Sequence, residues 1–220
     1  MGELKPFRIE TLINAPLETV WRALTEPDRA RDWFGWDHDG LEAEIRYILV
    51  DHAELFPPER IGLAVGQEIQ LVADGDHRTV VRAVLPGSLD DAEWEDLYDA
   101  IEEGWRTFLE QLRFLLERQP GGGRRTVYLS GSATGKEVLA AVEALGGTEV
   151  WHESRYQKMI VAPDGGLVGV GAQQPLDAAE AGPVSVTVGS YGLDDAGFDE
   201  LRERWAERWR TVARDPQVTT

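Results

Sequence analysis

The sequence predicts an α+β protein in which a curved antiparallel sheet wraps a long C-terminal helix, and it predicts this arrangement twice in tandem. Three observations carry the reading. The stretch Ser88 to Arg118 holds one broad apolar stripe at helical spacing. The stretch Leu41 to Pro86 ahead of it reads as strands punctuated by turn signals. A second stretch with the same stripe follows 104 residues later.

In the long stretch, Trp94, Leu97, Tyr98, Ile101, Trp105, Phe108, Leu109, Leu112, Leu115 and Leu116 fall within roughly 120° of one another at about 100° per residue. The remaining circumference is mostly charged, with Phe114 alone on that back. Ser88 and Asp91 have capping-box spacing, with Asp in place of Glu or Gln, and acidic residues in the first turn suit the helix dipole. Pro120 and the glycines after it end the helix. So wide and aromatic a stripe needs a large concave surface to cover.

The chain upstream supplies that surface. Pro6 to Ile13 alternates apolar and polar residues as a strand does. Ala15-Pro16 opens a short helix with Val20, Trp21 and Leu24 on one side, and Pro16 stands near its first position. Glu26-Pro27-Asp28 starts a second short helix, which ends at Trp33-Phe34-Gly35. Then come strands: Glu42–Val50 with Ile45, Tyr47 and Leu49 on one face, Gln67–Ala73 with Ile69 and Leu71, and Arg78–Leu85 with Thr79, Val81, Ala83 and Leu85. Pro57-Pro58 marks a loop, and Asp74-Gly75-Asp76 a tight turn.

FRIETLINAPLETVWRALTEPDRARDWFG, the strands after it, and DDAEWEDLYDAIEEGWRTFLEQL together resemble the activator-of-heat-shock-protein-ATPase homologue family. That family belongs to the START-like (SRPBCC) helix-grip superfamily. The resemblance runs from Pro6 to about Arg118 and rests on the Ala-Pro helix opening, Trp33-Phe34-Gly35 and Glu103-Gly104-Trp105. It implies a helix-grip fold with a space between long helix and sheet. Between Gly40 and Pro86 the chain is shorter than is usual in that family.

Gly121-Gly122-Gly123 reads as a flexible joint, and a degenerate second copy follows. The division is 5–118 for the first unit, 119–123 for the linker and 124–214 for the second. Leu89–Thr107 and Leu193–Thr211 share nine identical residues in 19. Phe198, Leu201, Trp205, Trp209 and Val212 fall on Trp94, Leu97, Ile101, Trp105 and Phe108, so the stripe is kept. The second copy reads as strand Val127–Leu129, helix Lys136–Leu145, then strands Thr148–His152, Tyr156–Val161, Leu167–Ala172 and Val184–Tyr191. It has no Trp33-Phe34-Gly35, and Arg208 stands in place of Gly104. We therefore expect a filled core there and a supporting role, and usable space in the first copy.

Composition excludes several functions. There is no Cys, which removes disulfides, thiolate catalysis and Cys-type zinc sites. The formal charge of −18 argues against nucleic acid and anionic membranes as partners. It is uneven: residues 5–118 carry 12 basic and 25 acidic residues, and residues 124–220 carry 10 and 14. No apolar run approaches the ~20 residues that span a bilayer, and MGELKPFRIE has no signal-peptide core, so the expected location is cytoplasmic.

No catalytic constellation assembles from the spacing. Gly131-Ser132-Ala133-Thr134-Gly135-Lys136 has the look of a phosphate loop, but it is one residue short and Glu137 replaces the magnesium-binding Ser/Thr. His38, His52, His77 and His152 lack metal-ligand spacing. The expectation is no catalytic residue, no metal and no cofactor. The aromatic residues are the better clue: Trp36, Tyr47, Trp94, Tyr98 and Trp105, with Gly104 leaving room, are the candidate ligand-binding set. The alternative is that they simply fill the core, as aromatic stripes at helical spacing usually do. Likewise Gly104, which costs a helix about 1 kcal/mol relative to Ala, either opens space or permits close helix–sheet packing.

The leading functional expectation is a non-catalytic protein that holds a small hydrophobic molecule in the first unit. Second comes an interaction module whose acidic first unit docks a protein partner with a basic surface, as the family resemblance implies. Third is a cyclase or hydrolase, by analogy within the superfamily. The expected state is a monomer with pseudo-dimeric halves, or a homodimer.

Overall fold

The computed structural model describes residues 5–87, 98–146 and 149–220. It divides into two units, each an antiparallel sheet carrying one long helix, so the chain is α+β with the helix-grip arrangement in tandem. The first unit holds the chain up to Gly35 and from Gly40 to Gln119; the second holds Trp36–Asp39 and Pro120–Thr220.

The first unit opens with strand β1 (Phe7–Ile13), whose strict alternation turns Phe7, Ile9, Thr11 and Ile13 inward. Helix α1 (Leu17–Thr25) buries Val20, Trp21, Ala23 and Leu24, and the short α2 (Pro27–Ala30) follows with Pro27 in its first turn. Trp33 and Phe34 lie in the core, and the Trp33 indole donates to the Ala23 carbonyl at 2.9 Å. A polar handle satisfied by helix backbone is what lets a tryptophan be fully buried.

The strand expected over Glu42–Val50 is instead helical. Helix α3 (Leu41–Arg46) runs into a π-helical turn at Tyr47–Asp51. The apparent alternation of Ile45, Tyr47 and Leu49 hides a longer period: Leu41, Ile45 and Leu49 stand four apart, and all three are buried. Tyr47 lies off that face and is 54% exposed.

Strands β2 (Glu54–Phe56), β3 (Arg60–Gly62), β4 (Glu68–Ala73) and β5 (Thr79–Leu85) then form a meander. The sheet order is β1-β5-β4-β3-β2. The register aligns Leu55, Ile61, Ile69, Ala83 and Ile9 in one row across all five strands, buried from Ile61 to Ile9 and exposed at Leu55 on the edge strand. Asp74–Asp76 makes the expected turn, with Gly75 at φ 76°, a conformation glycine adopts freely.

The long helix α4 spans Ala100–Arg118. Its expected start at Ser88 falls outside the described residues, as do Trp94 and Leu97, but one continuous helix from Ser88 is contradicted. Asp99 has extended backbone, and its carboxylate caps α4 by accepting the N–H groups of Ile101 (2.9 Å) and Glu102 (2.8 Å). Trp105, Leu109 and Leu112 are buried against the sheet, with Phe108, Leu115 and Leu116 packed at the margin. The helix runs in the same direction as β1 and is tied to it at three levels: Lys5 to Glu102, Thr11 to Glu110, and Asn14 to Glu117. Its charged back is also covered, since Glu103, Glu110, Gln111 and Phe114 are buried. Phe114 is therefore not a lone exposed residue.

The second unit repeats the plan. It contains β6 (Arg124–Ala133), α5 (Gly135–Glu143), β7 (Glu149–Glu153), β8 (Gln157–Val161), β9 (Leu167–Ala172), β10 (Gly182–Tyr191) and α6 (Asp195–Val212). Its order β6-β10-β9-β8-β7 copies that of the first sheet, and an unexpected strand β11 (Arg214–Thr219) adds an edge beside β6. Phe198, Leu201, Trp205 and Trp209 of α6 are all buried against Val127, Leu129, Val168, Val170, Val186 and Val188. No helix among the described residues is long and apolar enough to cross a membrane.

Candidate functional site at the head of the long helix

The first turns of α4 meet the inner face of the sheet at Gln67. A 3-10 turn at Ala64–Gly66 delivers this residue to β4, with the Leu63 N–H bonded to the Gln67 carbonyl at 2.8 Å. Because Glu68 pairs with Val84, the next position sets Gln67 beside Leu85, and alternation puts Gln67 on the same inward face as Ile69 and Leu71. An amide thus interrupts an otherwise apolar face.

Across from it, the Trp105 indole N–H donates to Gln67 Oε1 at 2.7 Å. That bond fixes the amide: its oxygen is taken, and Nε2 has no partner among the described residues. Behind Trp105 the rings continue inward. Phe108 meets Trp105 edge-on at 6.0 Å, Phe34 packs on Phe108 at 4.4 Å, and Trp33 makes a T-shaped contact with Phe34 at 5.6 Å. Gly104, half-buried on the shoulder of α4, has no atom within 4 Å of where a Cβ would stand. Close packing of helix on sheet is therefore not what requires glycine here.

The two copies differ at this level. Trp205 of α6, the counterpart of Ile101, is 5% exposed, whereas Ile101 is 39% exposed. Trp209, the counterpart of Trp105, donates to the backbone carbonyl of Ser130 at 2.9 Å instead of to a side chain. Arg208, opposite Gly104 in the alignment, points to solvent.

Among the expected site residues, Gly104 and Trp105 are adjacent on α4, and Tyr98 is half-buried just before the cap. Trp94 lies outside the described residues. Tyr47 is exposed on the π-helical turn, its ring against His52 at 4.1 Å. Trp36 packs within the second unit, stacked on Tyr128 at 4.1 Å with an interplanar angle of 11°. Neighbouring Asp37 accepts the Thr126 backbone N–H at 2.6 Å and donates its own N–H to the Thr126 hydroxyl. Gln67, Phe108 and Phe34 were not expected at the site. An amide at the first inward position of a strand is the sequence signal that could have found Gln67.

One buried carboxyl in the first unit has shifted chemistry. Glu110 is buried between α4 and β1, accepts from the Thr11 hydroxyl at 3.2 Å, and pairs with Arg113 Nη2 at 2.9 Å. Burial pushes its pKa above the usual carboxylate range, with Arg113 and Thr11 opposing the shift. In the second unit, Thr134 and Glu137 satisfy each other in a capping box. A Cβ on Gly135 would stand 2.4 Å from the Leu176 carbonyl, so close packing explains that glycine. No group of His, Asp and Glu among the described residues is placed to hold a metal.

No family model and no curated protein matches the chain. Among solved structures it is similar to the di-domain ARO/CYC BexL of the BE-7585A biosynthetic pathway, at 14% identity and a TM-score of 0.35, over 94% of each chain. It is also similar to DynU16, from the dynemicin biosynthetic locus, at 19% identity and a TM-score of 0.32, covering 94% of this chain and 96% of that one. An AHSA1-like protein of Rhizobium etli aligns with 53% of this chain and 86% of its own, at 17% identity and a TM-score of 0.32.

Proposed function

We propose that the first unit takes up a small hydrophobic molecule at the head of α4, between helix and sheet, and does not transform it. The observation that carries this is the difference between the copies. Where α6 closes its layer with buried Trp205, α4 presents exposed Ile101 one turn before Trp105, whose indole is bonded to Gln67. Apolar walls with a few fixed polar groups are what small-molecule sites are made of. The second unit, with its filled α6 layer, serves as support.

Native mass spectrometry of freshly purified protein tests this. A co-purifying mass of small-molecule size that is lost in Gly104→Arg supports it, and protein that is bare and stays bare after incubation with apolar probes contradicts it. If an added molecule returns chemically altered, the unit is an enzyme.

A second reading rests on a separate observation. Tyr47, Val50, Leu55, Phe56, Val65 and Val72 of the first unit are large apolar residues at least 38% exposed, on the unit that carries most of the negative charge. That combination suits a partner protein with a basic, partly apolar surface, whose binding weakens as salt rises.

A further inference from the structure

The geometry points to the class of molecule held at the head of α4: we infer that it carries a hydrogen-bond-accepting oxygen, a carbonyl above all, which Gln67 Nε2 reads. This rests on the ligand-binding reading and adds to it a specificity-determining residue. Gln67 stands one position before the Glu68–Val84 pair, and alternation places it on the face of Ile69 and Leu71, which are both buried. Its oxygen is spent on the Trp105 indole, which has only an N–H to give, so the amide cannot turn over without losing that bond. Two N–H donors of this half-buried side chain are thereby left beside Trp105 with no partner among the described residues. A purely apolar guest would strip water from these donors and return nothing, whereas a guest with one acceptor satisfies them.

The test uses the full chain and two planar isosteres, 2-acetylnaphthalene and 2-isopropenylnaphthalene, which differ by an oxygen in place of a CH2 group. Titrations followed by tryptophan fluorescence are expected to show the ketone binding about tenfold more tightly. Gln67→Glu keeps the acceptor for Trp105 but removes both donors, and it should abolish the preference while leaving the melting curve close to that of the parent. Gln67→Met, which has no donor and similar length, serves if the glutamate variant does not fold. Equal binding of both probes to the parent, or a preference that survives in the variants, overturns the inference and leaves ligand uptake standing. Failure of the parent to bind either probe overturns both.

Discussion

Three residues of α4 carry separable energetic roles. Trp105 is 6% exposed and hydrogen-bonded, so Trp105→Ala should cost about 3–5 kcal/mol in urea unfolding. A small loss of stability together with lost ligand uptake would make it a pocket wall and not core. Gly104 has free space where a Cβ would go, so Gly104→Ala should stabilise the protein by about 0.5–1 kcal/mol through helix propensity. A loss of stability there would show that the space is occupied. Glu110 has its pKa raised by burial, so the folded state holds that proton more firmly than the unfolded chain does. Its ionisation therefore costs stability progressively as pH rises from about 4.5 through the raised value. Glu110→Gln keeps an acceptor for Thr11 and Arg113, so the stability of the variant minus that of the parent should grow between pH 4.5 and pH 7. An equal difference at both pH values would contradict a raised pKa.

At the scale of elements, the boundary at Asp99 makes the sharpest claim. Its carboxylate satisfies two of the N–H groups that open α4, so Asp99→Ala should lower stability by about 1 kcal/mol, whereas Asp99→Asn or Asp99→Ser should restore most of it. This level also shows what the sequence disclosed and what it withheld. β1, α1, β4, β5 and α6 were legible because their apolar periods are clean and their ends are marked by Pro, Gly or Asp. Residues 41–51 were not, because six positions of alternation look alike whether the period is two or near four. The start of α4 was misplaced for a related reason: the stripe continues through Leu97 and Tyr98 at helical spacing, but the extended backbone at Asp99 breaks it. Periodicity reports which residues want burial and is silent on where the chain leaves the helix. Of the candidate site, Gly104 and Trp105 on α4 are residues that the sequence singles out. Gln67 and Phe34 come to it from the sheet and the loop after α2, and that juxtaposition exists only in three dimensions.

For the whole molecule, the tandem arrangement keeps one fold twice, and the proposed function assigns the two copies different uses. Identical strand order and equivalent long helices preserve the layer, and the side chains facing it decide whether it is filled. Trp205 fills the second. The most direct test of this claim is to write the second copy's solution into the first, as Ile101→Trp, and to compare it with the parent by native mass spectrometry after incubation with 2-acetylnaphthalene. The account predicts that the parent carries the added mass and that the variant carries none while melting no lower. A variant that still carries the probe as fully as the parent would contradict it.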